Sequence, residues 1–80
     1  VRSGEFNSRV ADQKAKIEAI AEAYGDGRQD RIDGLTVAYD TFWFNLRPSN
    51  TEPLLRLNIE ADSPRILEVQ KAKLLGLIRS

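Results

Sequence analysis

Arg47 and the residues after it, "RPSNTEP", form the stretch of the sequence that is richest in hydrogen-bond donors. Arg47 can offer a planar guanidinium fork to two oxygens of one phosphate or carboxylate. Three polar residues follow it in a predicted tight turn that resembles an anion-binding nest: Ser49, Asn50 and Thr51. Pro48 and Pro53 restrict the backbone, which reduces the entropy lost when the loop becomes ordered. The stretch is therefore a candidate anion site, and its donors suit a phosphate.

Catalytic chemistry fits these residues poorly. The chain has neither histidine nor cysteine, so it lacks the commonest general base and any thiolate nucleophile. Glu52 has no carboxylate companion at a defined separation, which argues against a paired-acid hydrolase. The acidic segment "GDGRQDRIDG" lacks the spacing and the terminal glutamate of a calcium-binding loop. We interpret that segment as a solvated turn and predict no metal site in the chain.

Two alternatives to an anion site remain open at this level. Polar residues between prolines also satisfy the backbone of an ordinary tight turn, and Arg47 could instead lie over Trp43 on the polar face of a sheet. Arg56 has the same outward parity as Arg47 in the next predicted strand and could add a second positive charge. More often, an arginine in such a position lies on a solvated face.

The composition limits the possible partners. Twelve basic and twelve acidic residues give a net charge of zero in 80 residues, so no global field attracts nucleic acid or an anionic membrane. Trp43 is the one outward-facing aromatic of its strand by parity, which is poor support for base stacking. No segment has the length of a membrane span, and the lack of cysteine fits a cytoplasmic setting. We predict one small domain over residues 1–80. Because it begins at Val1, we expect it to be a fragment of a larger protein.

Hydrophobic periodicity predicts the elements that position the loop. Apolar residues at a helical period indicate a helix from Val10 to about Tyr24, and the polar connection follows it. The period then changes to two, which predicts a hairpin and a third strand, before Ser63 and Pro64 mark the start of a second helix. A short strand over "GEFNS" precedes the first helix. The predicted fold is a two-layer α+β domain, with a four-stranded antiparallel sheet and both helices on its apolar face.

Three segments closely resemble one enzyme family: "SGEFNSRVAD", "DGLTVAYDTFWFNLRPSN" and "RPSNTEPLLRLNIEA". The family is the α-D-phosphohexomutases, in the phosphomannomutase/phosphoglucomutase branch, and the resemblance covers nearly the whole chain. It implies a TATA-binding-protein-like fold with four strands and two helices, as the fourth domain of a four-domain enzyme. Such enzymes interconvert hexose 1-phosphates and 6-phosphates through a phosphoserine and a bisphosphorylated sugar.

The resemblance also implies roles for individual residues. It makes four residues the ligands of the phosphate that is not transferred: Arg47, Ser49, Asn50 and Thr51. Pro48, Glu52 and Pro53 would shape the loop. The phosphoserine and the Mg²⁺ would belong to the three preceding domains, so the isolated fragment is expected to be inactive. Asn50 favours glucose and mannose phosphates, because the phosphoglucosamine branch usually resembles "RPSGTEP" at this point. The alternative is a stand-alone regulatory or interaction module that binds a small anion.

Overall fold

The computed structural model describes residues 1–80, which form one antiparallel sheet and two helices. Along the chain the elements are β1 (Arg2–Arg9), α1 (Gln13–Ala23), β2 (Arg28–Asp30), β3 (Leu35–Ala38), β4 (Phe42–Pro48), β5 (Leu54–Ala61) and α2 (Pro64–Ile78). The strand order across the sheet is β1-β5-β4-β3-β2. The predicted α+β class is confirmed, but the sheet has five strands rather than four.

The strand that we did not predict is β2, and it lies inside the segment that we predicted as a polar connection. Its three residues are all exposed and pair with β3, with Gln29 opposite Val37. The side-chain amide of Gln29 also donates hydrogen bonds to the carbonyls of Ala21 and Tyr24 at the end of α1. An exposed edge strand has no buried face, so its sequence shows no alternation of apolar and polar residues. Periodicity therefore missed it.

The first strand is longer than predicted. β1 covers eight residues and pairs with β5, with a register irregularity between Arg2 and Glu5 where Gly4 has φ +77°. Val10 follows β1 and donates its N–H to the carbonyl of Pro53, at 2.7 Å. The N-cap of α1 is Asp12, whose backbone is extended with φ −120° and ψ 90°, so α1 starts at Gln13 and not at Val10.

Side-chain caps define where both helices begin. Asp12 accepts a hydrogen bond from the N–H of Ala15 at 3.0 Å, and Ser63 accepts one from the N–H of Ile66 at 3.2 Å. Each satisfies a backbone donor that has no partner within the helix. Ser63 followed by Pro64 was predicted as the start of the second helix, and this is confirmed.

Both helices pack on the apolar face of the sheet, where 15 buried hydrophobic residues form a single cluster. The inward side chains alternate along the central strands, as with Phe44 and Leu46 on β4 and Leu57 on β5. Phe42 packs against this cluster while Trp43 is 38% exposed, in agreement with the predicted parity. Neither helix has the length and apolarity needed to traverse a lipid bilayer. The opposite face of the sheet stays open, and the loop between β4 and β5 lies at one end of it.

Candidate anion-binding site

A cavity of about 480 Å³ opens beside the loop between β4 and β5. It has no hydrophobic lining residue; the lining residues are Asp33, Gly34, Arg47, Pro48, Ser49, Asn50, Thr51 and Arg56. All four predicted ligand residues are therefore brought together, along with Pro48. Glu52 and Pro53 do not line the cavity. Their carbonyls instead accept the hydrogen bonds that hold the loop in place. The ligand role of the four residues remains a prediction.

Two arginines face each other in this cavity. Arg47 on β4 and Arg56 on β5 are direct partners in the strand register, so like charges occupy opposed positions. Such a pair is destabilising unless something compensates the charge. Arg56 makes no side-chain hydrogen bond or ion pair within the chain, although it was predicted only as a possible second charge. The register, which sequence parity alone does not give, makes Arg56 a candidate ligand.

The guanidinium of Arg47 has donors to spare. Its Nη1 lies 3.4 Å from a carboxylate oxygen of Asp33, and its Nε is buried with no hydrogen-bond partner. An anion in the cavity cannot reach the buried Nε, but Nη2 makes no hydrogen bond within the chain and is not buried, so that end of the fork is free for an added anion. The alternative that Arg47 lies over Trp43 finds no support, since the cations placed over rings are Lys71 on Phe6 and Lys73 on Tyr24.

The loop is closed by a few backbone hydrogen bonds. The N–H of Ser49 donates to the carbonyl of Leu54 at 2.9 Å, and the N–H of Leu54 donates to the carbonyl of Glu52 at 2.8 Å. The N–H groups of Asn50 and Glu52 donate to no group of the protein. No loop residue has a positive φ, so the loop is a turn and not an alternating left- and right-handed nest. Its free N–H groups are available as additional donors.

Gln13 is a loop contact that sequence reasoning missed. Its side-chain amide donates to the carbonyls of Ser49, Glu52 and Leu54, at 3.4, 3.2 and 2.7 Å. A glutamine at the first position of a helix is unremarkable in sequence, and these carbonyls lie 36 to 41 residues away along the chain. No local pattern could have indicated the contact.

Asp33 and Gly34 come from the segment interpreted as a solvated turn, yet both line the cavity. Arg31 connects this segment to α1, since its guanidinium donates hydrogen bonds of 2.6 and 3.2 Å to the carboxylate of Glu18. The hydrogen bond from Arg31 lowers the pKa of Glu18 below its usual value. Asp33 thereby sits at the rim and adds a negative charge beside Arg47.

We expect Asp33→Asn to strengthen the binding of inorganic phosphate to the 80-residue chain. The asparagine can still accept from Arg47, but it removes a charge that competes with the anion. Because the carboxylate is largely exposed, the gain should be modest, about two- to fivefold in Kd. Isothermal titration or NMR titration measures it. Asp40→Asn is the matched control, since it removes one exposed charge at a distant turn. Equal gains in the two variants would show that only net charge matters.

The groups around the cavity are hydrogen-bond donors of the kinds that bind anions. Two guanidinium groups, two hydroxyls and free backbone N–H groups surround the cavity, while no group of three or more metal-ligating side chains exists in the chain. The fold and the site thus define a small α+β domain with a polar, arginine-lined cavity at one end of its sheet.

Comparison with known proteins places this domain in a family. Residues 5–77 match the family described as phosphoglucomutase/phosphomannomutase, C-terminal domain. The chain belongs to that family, and the resemblance inferred from its motifs is confirmed. It is 49% identical over 76 residues to a phosphomannomutase of Methanocaldococcus jannaschii, covering 95% of this chain. It is 42% identical over 82 residues to a phosphomannomutase of Salmonella montevideo, covering 98% of this chain.

A third relative carries a broader name. It is described as "Phosphohexose mutases" in Xanthomonas campestris pv. campestris and is 41% identical over 80 residues, covering 96% of this chain. The chain spans only 17 to 18% of the length of these three relatives. The family is therefore established for the domain, whereas the reaction of a whole enzyme is a matter for proposal.

Proposed function

We propose that this chain is the substrate-phosphate-binding domain of a phosphohexomutase. That enzyme interconverts hexose 1-phosphate and hexose 6-phosphate through a phosphoserine and a bisphosphorylated sugar. The observation that carries the assignment to a phosphate is the opposed pair Arg47 and Arg56 in one polar cavity, with the Nη2 of Arg47 free of any hydrogen bond within the chain. A dianion between the two arginines removes their repulsion and supplies an acceptor for the free Nη2 of Arg47. Membership of the family and the names of the relatives support the choice of a phosphosugar.

Each lining residue has a distinct task in this proposal. Arg47 grips two phosphate oxygens with its planar fork, and Arg56 balances the second negative charge. Ser49 and Thr51 supply hydroxyl donors, and Asn50 adds its side-chain amide and its free backbone N–H. Pro48 and Pro53 limit the conformations of the unbound loop, so less entropy is lost when the phosphate binds. Because the cavity contains no hydrophobic side chain, it recognises the phosphate and leaves the sugar to other contacts.

The domain contributes position rather than chemistry. Holding the phosphate that is not transferred fixes the distance and direction of the other end of the sugar, and phosphoryl transfer depends heavily on such alignment. We assign the phosphoserine to the three other domains of the proposed enzyme. Mg²⁺ is assigned there too, as the resemblance to the family implies. The 80-residue chain alone should bind phosphosugars and catalyse nothing.

Asn50 supports a preference for glucose and mannose phosphates over glucosamine phosphate. It lies on the lining of the cavity, is exposed, and makes no side-chain hydrogen bond within the chain. Its amide is therefore free to contact either the phosphate or a sugar hydroxyl beside it. The names of the relatives include phosphomannomutase, which agrees with this substrate class.

An NMR titration tests the proposal directly. Adding glucose 1-phosphate to isotopically labelled chain should shift the amides of residues 49 to 52 first, while glucose should shift none. We expect a Kd of about 1 mM, since a single-phosphate grip on one domain supplies only about 4 kcal/mol. Arg47→Ala is the matched variant and should abolish the shifts. If the shifts were confined to the helices, the phosphate would bind elsewhere and the assignment would be wrong.

A further inference from the structure

The contact between Gln13 and the loop connects three separate points of the loop to one side chain. Ser49 stands at its start, Glu52 in its middle and Leu54 at its end, and each carbonyl accepts from the same amide nitrogen of Gln13. The distances run from 2.7 Å at Leu54 to 3.4 Å at Ser49. No other side chain donates to a carbonyl of the loop.

The loop has few other restraints. Residues 50 to 53 are exposed, so burial of apolar surface does not hold them. Apart from its own internal bonds, the backbone connection to the rest of the chain is the bond from Val10 to Pro53. Exposed loops with few restraints sample several conformations, and ordering them on binding weakens affinity. Gln13 therefore supplies much of the order that the loop has before any ligand arrives.

The contact with Gln13 also fixes the direction in which the N–H of Asn50 points. In a planar trans peptide, the carbonyl of one residue and the N–H of the next point to opposite sides. The peptide between Ser49 and Asn50 is trans, and its carbonyl is held toward Gln13. Its N–H, which belongs to Asn50 and has no partner in the protein, is thereby presented away from α1. Asn50 lies on the cavity lining.

We propose that Gln13 is a positioning residue for the phosphate site. It touches no ligand; it holds three loop carbonyls so that the free N–H of Asn50 and the hydroxyls beside it are set for an anion before the anion binds. This inference rests on the proposed phosphate-binding function. It assigns a role to a helix residue that lies outside the loop and does not line the cavity.

The test compares two glutamines of the 80-residue chain. Gln13→Met keeps the length of the side chain and its preference for a helix but removes both donors. Gln29→Met is the matched control, because Gln29 also donates to two backbone carbonyls, those of Ala21 and Tyr24, far from the loop. Each variant is titrated with inorganic phosphate by NMR, and its amide exchange and melting temperature are measured.

We expect the two variants to differ in binding but not in stability. Both should show a similar, modest decrease in melting temperature, since each loses hydrogen bonds of the same kind. Only Gln13→Met should raise the Kd for phosphate, by about tenfold. The free energy that corresponds to this factor is roughly that of one hydrogen bond or slightly more. Only Gln13→Met should accelerate exchange at the amides of Ser49 and Leu54. Gln13→Lys, which keeps donors at a similar reach, should restore slow exchange there.

The outcomes separate this inference from the function on which it rests. If the wild-type chain shows no phosphate-induced shifts, the proposed function fails, and the positioning role fails with it. If the wild-type chain binds phosphate and Gln13→Met binds within twofold of it, the positioning role alone is overturned. Equal weakening by Gln13→Met and Gln29→Met also overturns it, since the effect would then follow general stability.

Discussion

Arg47→Ala in the proposed full-length phosphohexomutase is expected to lower kcat/KM by about tenfold to several hundredfold, with the fold intact. The substitution removes the planar fork whose Nη2 makes no hydrogen bond within the chain, so in the proposed complex the phosphate loses a charge-assisted contact worth about 1.5 to 3 kcal/mol. Since the same phosphate is held in the ground state and the transition state, KM should rise. Since the grip also aligns the reacting end of the sugar, kcat should fall as well.

Steady-state kinetics on three variants check this expectation. Arg47→Lys should recover only part of the activity, because it restores the charge without the fork. Arg28→Ala is the matched control, since Arg28 is an exposed arginine on the edge strand β2, outside the cavity. If the kcat/KM of Arg47→Ala lay within about twofold of the wild-type value, the loop would not contact the substrate, and the assignment would be wrong.

Among the glycine-to-alanine substitutions in the chain, Gly34→Ala should lower the free energy of unfolding the most. Gly34 has φ +69°, which L-residues with a side chain adopt only at a cost of about 1 to 2 kcal/mol. An added Cβ would also lie 2.5 Å from the carbonyl oxygen of Leu46 and 2.9 Å from the Cγ of Arg47. We expect a total loss of about 3 kcal/mol or more in the free energy of unfolding, which lowers the melting temperature by about 12 °C or more. Thermal unfolding followed by circular dichroism measures the loss.

Gly4→Ala separates the two causes of that loss. Gly4 has φ +77°, close to that of Gly34, but no heavy atom lies within 4 Å of the position its Cβ would take. It should therefore show only the backbone cost, about 1 to 2 kcal/mol. Similar losses in both variants would mean that the contact with Leu46 and Arg47 relaxes at no cost. Gly34→Ala should in addition weaken phosphate binding, because the new methyl group displaces Arg47, whereas Gly4→Ala should leave binding unchanged.

Local sequence was enough to predict most of the elements. Side-chain parity along a strand is fixed by the pleat, so alternating residues assigned Phe44 to the core and Trp43 to the open face. Capping depends on residues within one turn of a helix, so Ser63 with Pro64 located the start of α2. The four predicted ligands lie together because they are near neighbours in sequence, at the end of β4 and in the loop after it, and such neighbours stay close whatever the fold.

Tertiary structure decided the features that depend on residues far apart in the chain. The edge strand β2 has no buried face, so only its pairing with β3 defines it. Parity placed Arg47 and Arg56 on one face, but the register of β4 with β5 made them direct partners. The approach of Asp33 to Arg47 depends on how the segment before β3 folds against β4. Gln13 reaches the loop only because the bond from Val10 to Pro53 brings the start of α1 beside it. Sequence by itself therefore determined the donors of the candidate anion site, through local rules. The groups that balance, orient and hold those donors were set by long-range packing, which no local period encodes.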